Sequence, residues 1–411
     1  MMNNKKILSL IMAVCLVFLL AGCGKTAVPD MTLVQPDVSP LAIPEQVKVV
    51  GLGEASHGVK EYQELKGEVF QTLVRDYGCR TFILECDFGN ALKVDSYIHG
   101  GEGMAKDAAA LTGFRIYRTK EMEQLLDWMR AYNETAPEGK DLHFYGMDMQ
   151  SADNSKEYLF DILRQIDPEL CAEYEELLAF LNDTDMYDIG TDAFAQGMPD
   201  ALELVQKVDE ARNDIEAAFG SETFAFAREC ACSIYNCCDI RKSNKEYNQV
   251  RDGHMAEKIE WFLEHGDGSL LFLTGHNGHI GRINASSYYD CLGKRLSETL
   301  GDQYFAIGTD ASTTMFNSQG AEGFTEKTVK NENGLNALAG QMEGNRYYID
   351  LAKAAEDDSW HSILSEKQRI TTLNVGSLTF LKVFCTLKLV PEDTFDGMVI
   401  FDQVSPTTVD L

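Results

Sequence analysis

The sequence predicts an α/β protein with a mainly parallel sheet flanked by helices and an inserted all-helical subdomain. Three observations support this class. Short apolar runs recur along the chain, amphipathic segments separate the first of them, and an acidic stretch with few strand signals follows residue 153. Strands buried on both faces read as continuous apolar runs, and strand–helix–strand alternation is typical of parallel sheets.

Six apolar runs are predicted to form buried strands. They span residues 47–52, 81–84, 142–145, 270–273, 304–307 and 398–401. Residues 59–77 and 121–132 carry their apolar side chains at intervals of three and four, which predicts one buried helix face in each. The first three strands and these two helices therefore alternate as parallel α/β units do.

The stretch between the third and fourth strands predicts helices. These cover residues 159–166, 170–181, 201–219 and 224–239, and the Gly, Asn and Asp residues around 182–200 predict a long loop. The resulting division is a signal peptide at 1–22, a tether at 23–45, a first α/β part at 46–152, a helical insertion at 153–248 and a second α/β part at 249–411.

The N-terminus resembles a bacterial lipoprotein signal. Two lysines precede an almost unbroken apolar run at residues 7–20, which is short for a bilayer span, and Leu-Ala-Gly-Cys follows at residues 20–23. This resemblance implies cleavage before Cys23 and a lipid on its sulfur. We therefore expect an extracytoplasmic protein anchored to the cell membrane. An ordinary secretory signal or an uncleaved anchor remains the alternative.

The charge balance restricts the partners. The formal net charge is −29, and nucleic acid binding needs clustered Lys and Arg to neutralise phosphates. We expect no nucleic acid partner and a monomeric chain that acts on a small molecule. Of the eleven cysteines, Cys15 lies in the signal and Cys23 directly follows it, and the other nine are expected to be mostly buried free thiols, with one disulfide at most.

Acidic and histidine side chains follow four of the predicted strands. They are Glu54 and His57 after the first, Glu85 after the second, Asp148 after the third, and His276 and His279 after the fourth. The carboxyl ends of parallel strands share one edge, where open α/β sheets bind ligands. The sequence therefore predicts one cleft that contains all of these side chains.

An ordered set of motifs resembles the erythromycin esterase family over about residues 46–404. The motifs are Gly-Glu-Ala-Ser-His-Gly at 53–58, Lys66, Glu85, Thr-Lys-Glu at 119–121, Trp-Met-Arg at 128–130, Asn133, Phe-Tyr-Gly-Met-Asp at 144–148, Arg-Asp at 251–252, Met255, His-Asn-Gly-His at 276–279, Gly293, Leu296, Tyr304, Ile307 and Phe-Asp-Gly at 395–397. The resemblance implies a metal-independent hydrolase that opens the lactone ester of macrolide antibiotics, without a cofactor.

The side chains are consistent with the ester hydrolysis that the resemblance implies. The reaction needs a base for water, a donor for the developing oxyanion and a proton for the leaving alcohol. His57 paired to a carboxylate is the candidate base, and His276, His279 or Lys66 is the candidate source of positive charge. A Gly-x-Ser-x-Gly nucleophile elbow is missing because position 54 is Glu, so water is the expected nucleophile.

The resemblance also implies roles for single residues. His57 matches the general base, Glu54 and Glu85 match acids that orient and charge-balance the histidines, and His276 and His279 match a second histidine pair. Substrate contacts are expected from Lys66, His279, Asn277, Glu121, Asp148 and Arg251. Lys66 stands where the family is expected to have arginine, and lysine cannot form a bidentate fork.

Two alternatives remain open from the sequence. The same Glu and His residues have the donor atoms of a metal-dependent hydrolase, although the preferred interpretation includes no metal. A lipid-anchored protein that binds a small molecule without turnover is the other alternative. Outside the predicted cleft, His99 is interpreted as a loop residue and His143 as a structural residue of a strand.

Overall fold

The computed structural model describes residues 29–284, 288–320, 323–373 and 385–409 of the 411-residue chain. Cys23 and the predicted signal peptide lie outside the described residues. Within them, none of the helices combines the length and the apolarity that crossing a membrane requires.

Eleven strands are present in the described part of the chain. They are β1 (Val34–Gln35), β2 (Val49–Glu54), β3 (Thr81–Asp87), β4 (His143–Asp148), β5 (Leu271–His276), β6 (Tyr304–Gly320), β7 (Gly323–Lys330), β8 (Arg346–Asp350), β9 (Gln368–Thr371), β10 (Thr386–Leu389) and β11 (Gly397–Val404).

A parallel core of six strands forms the centre of the sheet. The strands lie side by side in the order β11, β6, β2, β5, β3, β4, and every pairing among them is parallel. β8 and β1 extend the sheet beyond β11 with antiparallel pairings, β7 pairs antiparallel with the second half of β6, and β9 pairs with β10 in a separate ribbon. The predicted fold class is confirmed, and all six predicted strands belong to this parallel core.

Helices connect and cover the strands. They are α1 (Lys60–Tyr77), α2 (Phe88–Ile98), α3 (Ala105–Leu111), α4 (Lys120–Asn133), α5 (Asp153–Ile166), α6 (Pro168–Leu177), α7 (Thr191–Glu210), α8 (Arg212–Phe219), α9 (Ser221–Arg241), α10 (Tyr247–His265), α11 (Asn277–Ile280), α12 (Leu292–Leu300), α13 (Asn336–Ala339), α14 (Leu351–Ala354), α15 (Asp358–Leu364) and α16 (Pro391–Thr394). Short 3₁₀ turns at Met31–Leu33, Arg115–Tyr117, Gly301–Gln303 and Glu343–Asn345 complete the regular structure.

Two hydrophobic cores cover the two faces of the sheet. Successive residues of a strand point to opposite faces, so Ile83 joins the core formed with helices α5–α10, whereas Phe82 and Leu84 join the core formed with α1, α2 and α4. The same alternation divides Val49 from Val50 in β2. The helices between β4 and β5 therefore pack on one face of the sheet and share its core.

The predicted loop at 182–200 is wrong over its second half, because α7 begins at Thr191. Glycine was the misleading signal. A Cβ on Gly197 would come within 2.3 Å of the Phe180 ring, so this glycine permits close packing inside a helix. The predicted helix at 201–219 divides at Ala211 into α7 and α8.

Candidate active site

The turn after β2 holds His57 against Glu54. Glu54 ends the strand, and the turn is fixed by hydrogen bonds from the Ala55 N–H to Thr309 Oγ1 (2.9 Å) and from the Leu373 N–H to the Ala55 carbonyl (2.9 Å). Gly58 closes the turn with φ +72°, and a Cβ there would meet the Asn317 carbonyl oxygen at 2.3 Å. Only glycine fits this position.

Glu54 is a buried carboxylate with three partners. Its Oε1 lies 2.6 Å from His57 Nδ1, and its Oε2 lies 3.1 Å from Lys66 Nζ and accepts a 3.0 Å hydrogen bond from Gln63 Nε2. Burial raises the pKa of Glu54, but the charges of Lys66 and His57 outweigh burial and lower the pKa to about 2. Glu54 is therefore ionised across the neutral range.

The carboxylate fixes the tautomer of His57. Because Nδ1 faces Glu54, this nitrogen carries the proton and donates to the carboxylate. The side chain of His57 is 12% exposed, and its Nε2 has no hydrogen-bond partner among the described residues. This nitrogen is therefore available to accept a proton.

His276 presents the complementary group, an unpaired N–H. The Gly278 N–H donates to His276 Nδ1 (3.1 Å), so the proton of the neutral ring is on Nε2. Burial and the nearby His57 lower the pKa of His276 to about 3, against the opposing charge of Glu85. Nε2 is buried and lacks a partner within the described chain. The His57 and His276 rings are 5.3 Å apart between centroids.

The neutral state of His276 differs from the expectation that it supplies positive charge. The reason is burial next to a second imidazole, which disfavours a further proton. His276 offers a neutral hydrogen-bond donor instead.

Glu85 connects the other charged residues of the cluster. Its Oε1 accepts a 2.8 Å hydrogen bond from Arg251 Nη2, and its Oε2 accepts one of 2.9 Å from the backbone N–H of His276. Arg251 also forms a fork with Asp148, at 2.9 Å and 2.6 Å. Burial raises the pKa of Glu85, but His279, Arg251 and His57 hold it well below its usual range.

A bulge in β3 carries Glu85. Leu84 pairs with Gly146 and Asp87 pairs with Asp148, so β3 has one more residue than β4 between the two pairings. Bulges of this kind redirect side chains beside active sites. A Cβ on Gly275, in β5, would meet Glu85 Oε2 at 2.8 Å, so the missing side chain leaves the room that this carboxylate occupies.

His279 is a charged residue held from both sides. Its Nδ1 lies 2.8 Å from Asp252 Oδ1, and its Nε2 lies 3.3 Å from Glu85 Oε1. Burial lowers the pKa of His279, but Asp252 and Glu85 outweigh burial and raise it to about 10. The imidazolium donates from both nitrogens, so Arg251 Nη1, at 3.2 Å from Nε2, is a close neighbour rather than a hydrogen-bond donor.

Three residues expected to contact substrate have other partners. Lys66 is 1% exposed and pairs with Glu54, so it acts on His57 only through that carboxylate. Both amide atoms of Asn277 bind the backbone of Thr309, at 2.8 Å and 3.2 Å. Glu121, at the start of α4, accepts a 3.4 Å hydrogen bond from the Thr408 N–H.

The structure adds three residues for which no role is predicted from the sequence. Asp252 pairs with His279, Gln63 bridges Lys66 and Glu54, and Tyr117 lies under the Lys66 ammonium with its ring centroid 4.8 Å from Nζ. The Tyr117 hydroxyl is buried and unpartnered within the described chain. Burial raises the pKa of Tyr117, and the charges of Glu54 and Glu85 raise it further. Asp252 had a signal, since it belongs to the Arg-Asp motif at 251–252.

The donor atoms of this cluster are spaced for hydrogen bonding. Across the described residues, the group that brings three His, Cys, Asp or Glu ligand atoms within 4.8 Å of one another is located elsewhere, at Asp95, His99 and His143. The cluster around Glu54 and Glu85 therefore forms ion pairs and hydrogen bonds rather than a compact set of metal ligands.

Comparisons with known proteins identify relatives of this chain. Erythromycin esterase type II of Escherichia coli is 25% identical over 289 residues, which cover 64% of this chain and 68% of that protein. The crystal structure of a Bacillus cereus protein matches with a TM-score of 0.77 at 25% identity and covers 89% of this chain and 91% of that one.

A mutant erythromycin esterase in its open conformation has the same fold. Its TM-score is 0.65 at 18% identity, with 89% of this chain and 93% of that chain covered. The sequence model of the family named Erythromycin esterase matches residues 74–404. Because this match spans most of the chain and includes Glu85, Arg251, His276 and His279, the chain belongs to the erythromycin esterase family.

Proposed function

We propose that this protein is a carboxylic ester hydrolase that cleaves an ester or a macrolide lactone with a water molecule activated by His57. One observation carries the proposal. His57 Nε2, the candidate base nitrogen, and the N–H of His276 Nε2 both lack a hydrogen-bond partner among the described residues, and the two ring centroids are 5.3 Å apart. A water molecule and a carbonyl group beside these two nitrogens would find both an acceptor and a donor.

The proposed reaction begins with proton transfer from water to His57 Nε2. The resulting hydroxide attacks the ester carbon, and the His276 N–H donates to the oxygen on which negative charge develops. Glu54, ionised and 2.6 Å from Nδ1, stabilises the His57 imidazolium that forms.

Collapse of the tetrahedral intermediate breaks the bond to the alkoxy oxygen. The His57 imidazolium returns its proton to that oxygen, so an ester and water give an acid and an alcohol and the base is regenerated. Glu85 supports this step by holding the backbone of His276, together with His279 and Arg251, in place. A residue positioned in this way acts through the histidines and has no covalent role.

A macrolide is the proposed substrate class. The Escherichia coli relative is named erythromycin esterase type II, and a formal net charge of −29 suits a substrate with a protonated amino sugar.

Mass spectrometry of macrolides and simple esters incubated with the purified protein tests the proposal. Hydrolysis of a lactone adds the mass of one water. We expect His57→Ala to lower kcat by about 1,000-fold, within the range of general-base contributions, and His276→Ala and Glu85→Gln to remove most of the activity. His361→Ala, at a histidine whose side chain is 57% exposed, is the matched control.

Two outcomes contradict this mechanism. Hydrolysis at the wild-type rate by His57→Ala would exclude His57 as the base. Binding of every substrate without any product would favour a non-catalytic binding protein.

We also propose that the chain is lipid-anchored through Cys23 and works outside the cytoplasm. The support is the order of basic residues, apolar run and Leu-Ala-Gly-Cys at residues 1–23. Labelled palmitate supplied to cells is expected to enter the protein but not its Cys23→Ser variant. Equal labelling of both, or of neither, contradicts the anchor.

A further inference from the structure

A second cluster of ligating side chains lies at the amino end of β4, whereas the candidate active site lies at the carboxyl ends of the strands. It consists of Asp95 on α2, His99 directly after that helix, and His143 at the start of β4. β4 ends at Asp148 in the candidate active site, about 16 Å away at ~3.3 Å per strand residue. The two clusters are therefore separate.

The donor atoms of this cluster have the spacing of metal ligands. One atom from each residue lies within 4.8 Å of the other two. Asp95 Oδ2 is 3.4 Å from His99 Nδ1, and Asp95 Oδ1 is 3.7 Å from His143 Nδ1. Ligands about 2.1 Å from a tetrahedral zinc ion are about 3.4 Å from one another, so small shifts would accommodate the ion.

The environment of each histidine fits this role. His99 Nδ1 lies 2.8 Å from the Asp95 carbonyl oxygen and 3.4 Å from the Asp95 carboxylate, so the ring turns this nitrogen towards the other two residues of the cluster. His143 Nδ1 is buried without a hydrogen-bond partner among the described residues. The His143 ring is fixed by stacking on Tyr145, with 5.6 Å between centroids and 8° between planes.

The cluster opens into a cavity that an ion can enter. Asp95, His99 and His143 line a cavity of about 660 Å³, together with Tyr145, Tyr158 and Phe226. The carboxylates of Asp161 and Glu222 line it as well, and the one lysine, Lys93, pairs with Glu157. The carboxyl end of helix α2 adds a partial negative charge that favours a cation.

From this geometry we propose that Asp95, His99 and His143 bind a divalent transition metal ion of the zinc class, with the fourth ligand supplied from the cavity. Three protein ligands with an open position are typical of accessible zinc sites. The ion would join the end of α2 to the start of β4. The proposal is independent of the hydrolytic mechanism, because none of the three residues belongs to the Glu54 and Glu85 cluster.

Calorimetric titration of the metal-free full chain with zinc chloride tests the proposal. We expect one zinc ion per chain and a loss of affinity of about tenfold or more in both His99→Ala and His143→Ala. Asp95→Asn tests the site with little risk to folding. Its amide oxygen can still accept the hydrogen bond from the Phe144 N–H that Asp95 accepts at 2.8 Å. Cobalt substituted for zinc should give the visible spectrum of a tetrahedral site.

Two control variants distinguish this site from other histidine clusters. His254→Ala removes a histidine that pairs with Asp239 and Glu257 at 2.9 Å each, and His57→Ala removes one from the candidate active site. Both should bind zinc as the wild type does. The proposal is overturned if the wild type binds no zinc, if His143→Ala and Asp95→Asn retain full affinity, or if His57→Ala alone abolishes binding.

Discussion

Lys66 illustrates how a single buried charge controls the candidate base. Its ammonium is 3.1 Å from Glu54 Oε2, and Glu54 in turn holds His57. Lys66 was identified from its place in a sequence motif, and the predicted role was contact with the substrate. Only the structure shows that α1 directs the side chain behind Glu54, because helical periodicity predicts which face is buried but not which neighbour meets it.

Lys66→Met is expected to lower kcat about tenfold or more and to cost about 3 kcal/mol of stability, since it leaves Glu54 buried without its cation. Lys66 lowers the pKa of Glu54, so its removal raises that pKa and moves the acidic limb of the kcat profile to higher pH. The pH–rate profile checks this expectation. Lys66→Arg should restore the profile, and the exposed Lys60→Met on the same helix should not change it.

The raised pKa of Asp87 predicts that this residue destabilises the folded state as the pH rises. Burial and the neighbouring Asp148 raise the pKa of Asp87 to about 7, whereas the pKa of an aspartate in the unfolded chain is about 3.9. As the pH rises from about 4 to about 7, the unfolded chain releases this proton first, and the folded state loses stability.

Asp87→Asn should therefore stabilise the protein more at pH 8 than at pH 5. Asparagine can retain both contacts with Ser151, at 2.7 Å and 2.9 Å, but cannot ionise. We expect the Tm difference from wild type to grow by about 2 °C or more between the two pH values. Thermal unfolding at both values measures it, and a difference that shrinks with rising pH contradicts the assignment.

At the scale of elements, the apolar runs predicted the parallel core because its strands are buried on both faces. The strands missed are those without such a run. β7 carries mostly exposed or half-exposed side chains, and β8 is an antiparallel neighbour of β11. Alternating or short segments carry a weaker signal than a continuous apolar run. Antiparallel pairing between strands that are far apart in the sequence produces no local sequence pattern.

The contact between the end of β2 and α11 sets the spacing of the candidate site. A Cβ on Gly53 would lie 2.2 Å from Asn277 Oδ1 and 3.0 Å from Asn277 Cα. Gly53→Ala is expected to push α11 away from β2, with a loss of stability of about 1–3 kcal/mol and a lower kcat. Denaturant unfolding and initial rates measure both effects.

Gly67→Ala is the matched control for that substitution. Gly67 lies inside helix α1, where an added Cβ would meet only the Leu125 side chain at 3.8 Å. Alanine is the better helix former, so this variant should be more stable by about 0.5–1 kcal/mol. Equal destabilisation by both substitutions would mean that the packing of Gly53 against Asn277 has no special importance.

At the scale of the whole molecule, the two hydrophobic cores hold the described part of the chain together without a disulfide bond. The described residues contain nine cysteines with no disulfide bond between them, and eight of these cysteines are buried. Burial raises the pKa of Cys79, Cys230 and Cys238, so these thiols are protonated and unreactive in the folded state.

Alkylation in denaturant without a reductant should therefore label all nine of these cysteines. In the native state, the partly exposed Cys232 should react first and the buried ones only on unfolding. Mass spectrometry of the labelled peptides measures both patterns. A pair that becomes labelled only after reduction would reveal a disulfide and contradict the structure.

The order of the strands in the sheet also determines when the parts of the candidate site can meet during synthesis of the chain. β2 lies between β5 and β6, and Glu54 is paired in the ladder with His276, more than 200 residues later in the chain. At about 5–20 residues per second, a ribosome that has made His57 needs roughly 10–45 s to reach His276. The candidate base is thus among the first parts of the site to be synthesised, and its partner His276 follows only when most of the chain has been made.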